Sequence, residues 1–259
     1  MDNKKYYENF NWETAHLSTR LKEKINKIID AIPNDVNSIL DVGCGDGTIS
    51  ESLNIKFNVI ASDRSINAVK QVKTKKLANS ADLIALKSNS VDLVFSSEMI
   101  EHLPDKIFAS AIKEFKRVSR KYVFLTFPNN ENIEKQFTQC SQCDFIFNKS
   151  YHLRSLNSKN IKYHFPEYNI IKEFTTGIDI RQYNKFLSRI KHKFSPSTSW
   201  IPNYWTKGDN ALRETMCPNC GYSFIIPYKF NLLASICDGL NILISRKIPY
   251  QLCILLEKK

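Results

Sequence analysis

The sequence predicts an α/β fold: an open, mostly parallel sheet with helices on both faces, carrying an insertion in its second half. Three observations predict it. Short apolar runs alternate with amphipathic segments from residue 13 to 130, as successive βαβ units require. The first run, Ser38-Ile39-Leu40-Asp41-Val42, passes directly into Gly43-Cys44-Gly45-Asp46-Gly47, which holds three of the chain's seven glycines. After residue 129 the rhythm gives way to a stretch rich in Asn, Lys, Ser and aromatics, and strand character returns only at the end.

The elements follow in order. Leu17, Leu21, Ile25, Ile28, Ile29 and Ile32 recur at spacings of three and four, which predicts an amphipathic helix over 13–32, stopped by Pro33. Ser38–Val42 is the first strand, and Phe57–Ser62 is the second, ending at Asp63. Residues 67–76 read as a helix, Val91–Ser96 as the third strand, and 109–118 as a helix with Ile112, Phe115 and Val118 on one face. Tyr122–Phe127 is the fourth strand, closed by Pro128. The last run, Tyr250–Leu256, reads as a buried strand returning to the sheet. Right-handed crossovers place the loops after the parallel strands along one edge, where ligands bind. This divides the chain into an N-terminal helical segment (1–35), a core (36–130), a basic and aromatic insertion (131–228) and a C-terminal helix and strand (229–259).

Composition narrows the function classes. The 259 residues suffice for one large domain, or a modest one with an insertion. With 42% hydrophobic and 24% charged residues and a mean hydropathy of −0.34, the chain is neither collagenous nor wholly disordered. A net charge of +11 admits nucleic acid, an acidic membrane surface or a phosphorylated substrate as partner. The N-terminus lacks the apolar core of a signal peptide, and a cytoplasmic location is expected. The most lipophilic stretch, Phe230–Leu256, is interrupted by Asp238, Arg246, Lys247 and Pro249. It falls short of a membrane span and reads as a buried helix followed by a strand.

The glycine turn and its acids carry the chemistry. Glycines after a strand let the backbone approach a ligand and leave the next helix's amides facing it. The pattern is neither G-x-G-x-x-G nor a phosphate loop. Asp41 precedes the first glycine, and Asp63 ends the next strand 22 positions later, where a carboxylate can accept both hydroxyls of a ribose. Asp92, inside a strand, reads as structural, and Cys44 as a small buried residue.

These residues in this order resemble the class I S-adenosylmethionine-dependent methyltransferases of the type 11 kind. Asp41-Val42-Gly43-Cys44-Gly45-Asp46-Gly47 is similar to that family's first motif, and Asp63 stands where its ribose-binding acid stands. Ser80-Ala81-Asp82 resembles the segment whose acid meets the adenine amino group, although Lys87-Ser88 follows where such proteins often carry Pro-Phe. Ser96-Ser97-Glu98-Met99-Ile100-Glu101-His102-Leu103 resembles the stretch flanking the transferring methyl. The resemblance covers about residues 36–130 and, loosely, the last strand. It implies a Rossmann-like seven-stranded sheet and bound S-adenosylmethionine, with cofactor contacts from Asp41, Gly43, Cys44, Gly45, Asp63, Arg64, Asp82 and Ser97.

Methyl transfer from a sulfonium is an in-line displacement, so the protein mainly positions the acceptor and excludes water. A base is needed for a hydroxyl or a protonated amine. Glu98, Glu101 and His102 are the candidates, and His102 can equally anchor its loop. Enzymes of this kind that methylate base amino groups typically carry an Asn/Asp-Pro-Pro-aromatic stretch after strand four; Ser-Ser-Glu-Met stands here instead. That favours a small-molecule or glycan-type acceptor over nucleic acid. An RNA methyltransferase and a non-catalytic zinc-ribbon binding module remain as other readings.

Cys140-Ser-Gln-Cys143 and Cys217-Pro-Asn-Cys220 make two metal-ligating pairs. Four thiolates close a tetrahedral site, which makes zinc structural rather than catalytic. Gly221 permits the tight turn of the second pair. The stretch His152-Leu153-Arg154-Ser155 after the first pair resembles a bacterial subgroup often found among surface-polysaccharide genes. His152 reads as a metal ligand, a capping group or an acceptor contact, and Arg154 as a clamp for an acidic acceptor. Lys185, Arg189, Lys191, His192 and Lys193, interleaved with Tyr183, Phe186, Phe194, Trp200, Tyr204 and Trp205, read as a solvated helix face with a core stripe, or as a surface for bases, sugars or a phosphorylated lipid head group.

Overall fold

Consecutive side chains of a buried strand must find apolar cover on two sides, and β1 (Ser38–Val42) shows this at once. Leu40 and Val42 pack into one cluster with Phe108, Ala111, Ile112, Phe115 and Val118. Ile39 packs into another with Ile28, Ala31, Leu53 and Phe95. In this computed structural model, which describes residues 4–10, 12, 18–200, 213–227 and 229–259, the helices therefore cover both faces of the sheet. Leu17, Tyr204 and Trp205 lie outside the described residues.

Before β1 come α1 (Lys4–Asn9) and α2 (Thr19–Ala31), the latter capped by Ser18. After it run α3 (Thr48–Leu53), β2 (Asn58–Asp63), α4 (Ile66–Gln71), β3 (Lys75–Ala78), β4 (Val91–Ser97), α5 (Asp105–Val118) and β5 (Ser119–Pro128). Next are β6 (Phe137–Gln139), β7 (Ile146–Asn148), α6 (Ser158–His164), β8 (Tyr168–Arg181), α7 (Lys185–Phe194), β9 (Glu214–Met216) and β10 (Ser223–Ile225). The chain closes with α8 (Leu232–Ile244) and β11 (Lys247–Lys258). Among the described residues no helix is long and apolar enough to cross a membrane.

The seven-stranded sheet has the order β3-β2-β1-β4-β5-β11-β8. β1 pairs in parallel with β2 on one side and β4 on the other, so its carboxyl end sits at the topological switch point where open α/β sheets bind ligands. β11 runs antiparallel to β5, from Gln251 opposite Pro128 to Glu257 opposite Tyr122.

Contacts divide the chain into two units: residues 1–6, 130–155 and 179–248 form one, and residues 7–129, 156–178 and 249–259 the other. The expected boundaries differ from these in two ways. Residues 156–178, expected within the insertion, contribute α6 and most of β8 to the sheet unit. Helix α8, expected to complete the core, belongs to the insertion's unit.

Local expectations are corrected too. The helix expected over 67–76 ends at Gln71, and Lys75 and Lys76 enter edge strand β3, where lysines discourage further strand pairing. The helix expected to be buried, α8, buries only Ala234, Cys237 and Asn241.

Asp92 is structural, as its place inside a strand predicted. Its Oδ2 accepts from the amides of Asn37 and Ser38 and the Ser38 hydroxyl, and Oδ1 accepts from Arg120 at 2.6 Å. Partial burial raises its pKa, but the Ser38 hydroxyl, Arg120 and the two amides outweigh this and hold it at about 2. The folded value thus lies below an unfolded value of about 3.9, so the stabilisation is complete above pH 4 and is lost as pH falls through 2. Asp92→Asn is expected to lose roughly 1 kcal/mol at pH 7 and to flatten the stability profile between pH 4 and 2. Urea unfolding across that range measures both.

Candidate active site and cysteine cluster

The turn after β1 is made by glycines because its backbone enters the left-handed region three times. Gly43, Gly45 and Gly47 have φ of 79°, 56° and 85°, where a Cβ is strained. Space forbids one as well: a Cβ on Gly43 would stand 2.3 Å from Met99 Cγ, and one on Gly45 would stand 2.8 Å from the Trp12 ring. The amides of Gly43 and Cys44 both donate to the Ser62 carbonyl at the end of β2.

Asp63 ties the two strand ends together. Its Oδ2 accepts from the Gly45 amide at 3.0 Å and its Oδ1 from the Ser65 amide at 2.8 Å. Burial raises its pKa, while those amides and the Arg64 charge pull it down. Asp41 is fully enclosed and accepts from the Ser50 hydroxyl at 2.5 Å. Burial lifts it to about 7, opposed by Ser50 and reinforced by the charge on Asp63. Cys44 lies against both acids; burial first, and then their charges, hold its thiol well above the ordinary range, so it is inert as a nucleophile. Asp82 follows β3, the neighbour of β2, and accepts from the Ser80 hydroxyl.

Ser97 and Glu98 end β4 in a polar knot. Glu98 holds φ 52°, a strained value for a non-glycine residue. Its amide donates to the Thr126 carbonyl, and its Oε1 accepts from Thr126 Oγ1 at 3.0 Å and Lys24 Nζ at 3.3 Å. Lys24 also donates to Ser97 Oγ at 3.1 Å. The Glu98 charge is thus balanced by a buried lysine. Four residues on, His102 Nδ1 shares a 3.0 Å hydrogen bond with the Tyr7 hydroxyl. Tyr7 stacks near Trp12, whose indole N–H donates back to the Tyr7 carbonyl. Glu8 and Tyr7 fasten this N-terminal segment to Ser65, Ile66 and Asn67 just past Asp63.

Lys24, Tyr7 and Trp12 join the candidate site by these contacts without having been expected there. Lys24 did carry a signal, because it lies three residues after Leu21 and four before Ile28, inside the apolar stripe of α2. A cation in that stripe needs a buried partner. Tyr7 and Trp12 sit in a polar stretch without periodicity and left no such mark.

Residues 40–127, which hold β1 to β5 and everything just described, match the methyltransferase domain family. Over these residues the chain carries a methyltransferase domain. The domain's fold is shared with solved structures of low identity. A SAM-dependent methyltransferase from Archaeoglobus fulgidus is 14% identical, covering 92% of this chain and 93% of its own, with a TM-score of 0.54. The YcgJ protein of Bacillus subtilis is 12% identical over 92% of this chain and 99% of its own, with a TM-score of 0.55. A SAM-dependent methyltransferase from Methanosarcina mazei is 14% identical over 89% and 96%, with a TM-score of 0.52. No curated protein matches the chain by sequence.

The methyltransferase turn fits the cofactor by its donor chemistry. The Asp63 oxygens accept from the Gly45 and Ser65 amides and, as carboxylate oxygens, have acceptor capacity for hydroxyls as well. The glycines add no side chain of their own to the turn, against which Met99 and Trp12 lie.

In the other unit, the two expected cysteine pairs come together. Cys140–Cys143 tip the hairpin β6–β7 and Cys217–Cys220 tip β9–β10. All four sulfurs lie within 4.8 Å of one another, with Cys140–Cys220 at 3.7 Å and Cys143–Cys217 at 3.6 Å. Disulfide sulfurs would be about 2.05 Å apart, whereas a tetrahedron with metal–sulfur bonds of about 2.3 Å has edges near 3.8 Å. The amides of Phe145, first, and then the Asn219 side chain lower the Cys143 thiol to about 7; burial raises Cys217 to about 12.

Also in this unit, His152 is buried, and its Nδ1 is hydrogen-bonded to Glu131 Oε2. It lines a recess of about 150 Å³ with Phe137, Phe147, Tyr151 and Pro218. Arg154 follows on the same loop, half-exposed.

The two knuckles share one backbone requirement. The residue after each second cysteine is left-handed: Asp144 at φ 56° and Gly221 at φ 77°. Gly221→Val is expected to cost about 2 kcal/mol or more, and Asp144→Gly to stay within about 0.5 kcal/mol of wild type. The urea midpoints of the two variants check this.

Proposed function

We propose that this enzyme moves the methyl group of S-adenosylmethionine to an oxygen or nitrogen of a small-molecule or glycan-type acceptor, and that the four cysteines hold a structural zinc ion. The observation that carries the first part is the Asp63 clamp across the glycine turn at the sheet's switch point. On this reading Asp63 receives the ribose hydroxyls, with Arg64 beside it. Gly43, Cys44 and Gly45 present backbone to the cofactor, Asp41 braces the turn from beneath, and Asp82 receives the adenine amino group. Ser97 borders the methionine end.

When bound, S-adenosylmethionine supplies a methyl already activated on a sulfonium, so the chain's work is placement. His102 is the proposed base: it takes the acceptor's proton while Tyr7 fixes its ring through Nδ1. Glu98 serves the same reaction by holding the end of β4 in place against Lys24 and Thr126. His152 and Arg154 are proposed acceptor contacts; the aromatic walls beside His152 suit the apolar face of a sugar ring.

Asp63→Asn puts an amide nitrogen where one acceptor oxygen stands. It is expected to weaken S-adenosylmethionine binding at least tenfold, by about 1.4 kcal/mol or more, as titration calorimetry reads directly. Equal affinity in the variant would contradict the assignment. Tritiated-methyl transfer over sugar nucleotide, amine and RNA acceptors then sorts the acceptor class.

For the metal, the sulfur spacing carries the reading. The purified chain is expected to contain about one zinc per molecule and to give the thiolate-to-metal absorption of a tetrahedral site when cobalt replaces it. Cys143→Ser lowers metal content and the unfolding temperature together. Metal-free protein with an unchanged unfolding temperature would exclude a structural ion.

A further inference from the structure

Helix α8 is built inside out. Its polar residues face the protein: Asp238 accepts from Lys191 Nζ and the Tyr183 hydroxyl, and Asn241 donates to the Gln182 carbonyl and accepts from the Asn184 amide. Its leucines and isoleucines other than Leu233 are exposed. Leu232 is 65% exposed, Ile236 50%, Leu240 45% and Leu243 80%, and their spacings of four, four and three place them on one face. A helix packed for water alone has the reverse pattern. Both ends are fixed, Asn231 capping the start and Arg181 donating to the carbonyls of Ile242 and Ser245 at the finish.

The setting of that face identifies its occupant. Exposed cations flank it in sequence, Lys229 before the helix and Arg246 and Lys247 after it. The antecedent helix α7, packed against α8, exposes Lys185, Arg189 and Lys193. Residues 179–248 carry ten Lys and Arg against four Asp and Glu, and the helix's own acid is neutralised by Lys191. A second copy of so basic a surface is repelled. An anionic surface is attracted, at about 1 kcal/mol per basic side chain near it. The thirteen residues of α8 rise about 20 Å, short of the ~30 Å hydrocarbon layer, so the helix lies in the plane of a bilayer rather than through it.

We propose that α8 docks the enzyme on an anionic lipid bilayer, its outward leucines and isoleucines entering the acyl boundary and the flanking Lys229, Arg246 and Lys247 meeting the head groups. This surface is independent of the methyl-transfer assignment and of the zinc reading.

Co-sedimentation of the full chain with vesicles tests it, using phosphatidylcholine alone and phosphatidylcholine with about 30% phosphatidylglycerol, at about 0.05 and 0.5 M salt. The expected result is binding to the anionic vesicles that weakens at high salt and is much weaker on the neutral ones. Leu240→Ser/Leu243→Ser keeps the charge and alters only exposed positions; it is expected to lose roughly tenfold or more in vesicle affinity with an unchanged unfolding temperature. Arg246→Ala/Lys247→Ala is expected to lose the salt dependence in part. No binding by the wild-type chain, or equal binding by the serine variant, overturns the proposal. So does a wild-type dimer in sedimentation velocity that the serine variant makes monomeric without any change on vesicles.

Discussion

The methyltransferase unit depends on one carboxylate. Asp63 accepts the Gly45 amide with one oxygen and the Ser65 amide with the other, joining the turn after β1 to the end of β2. Together with the Gly43 and Cys44 amides on the Ser62 carbonyl, that bridge holds three left-handed glycines, each of which loses more conformational entropy on folding than any other residue. The bridge also sets the chemistry. A half-buried acid whose two oxygens accept from backbone amides is held in one orientation before any ligand arrives. That is preorganisation in the plain sense, as the cost of ordering is met on folding rather than on binding.

A second constraint lies at the end of β4. Glu98 sits in a backbone region that disfavours it, and three groups keep it there: the Thr126 carbonyl, the Thr126 hydroxyl and Lys24. Strain of this kind persists only where the surroundings over-determine it. Here it directs the chain from β4 into the turn that carries His102. Tyr7 then holds the imidazole through Nδ1, so a residue close to the N-terminus and one from the middle of the domain share one site. Asp41 adds a proton equilibrium to the same region. Burial raises its pKa to about 7, so the folded chain holds this carboxyl's proton to higher pH than the unfolded chain does.

Much of this was legible in the residues, and the reasons it was or was not are physical. Strands β1, β2, β4 and β5 are covered on both faces and so read as predominantly apolar runs. Edge strand β3 carries Lys75 and Lys76 on an exposed border, and its sequence resembles the end of the preceding helix. Edge strand β8 is likewise mostly exposed along its length. The cysteine cluster was legible because metal ligation fixes spacing within each pair, and spacing survives in sequence. Lys24 was partly legible as a cation in an apolar stripe. Helix α8 was read as buried because its composition is apolar; composition reveals that a face avoids water but not what covers it. Tyr7 and Trp12 act through tertiary placement alone.

The most direct measurement is the ¹H–¹⁵N spectrum of the isotopically labelled chain titrated with S-adenosylhomocysteine. If the carboxylate bridge is the nucleoside seat, the amides of Gly43 to Gly47 and of Asp63 to Ser65 shift most, because the Gly45 and Ser65 protons share their acceptor with the incoming hydroxyls. Saturable shifts confined to other parts of the chain, with those amides unmoved, would contradict it.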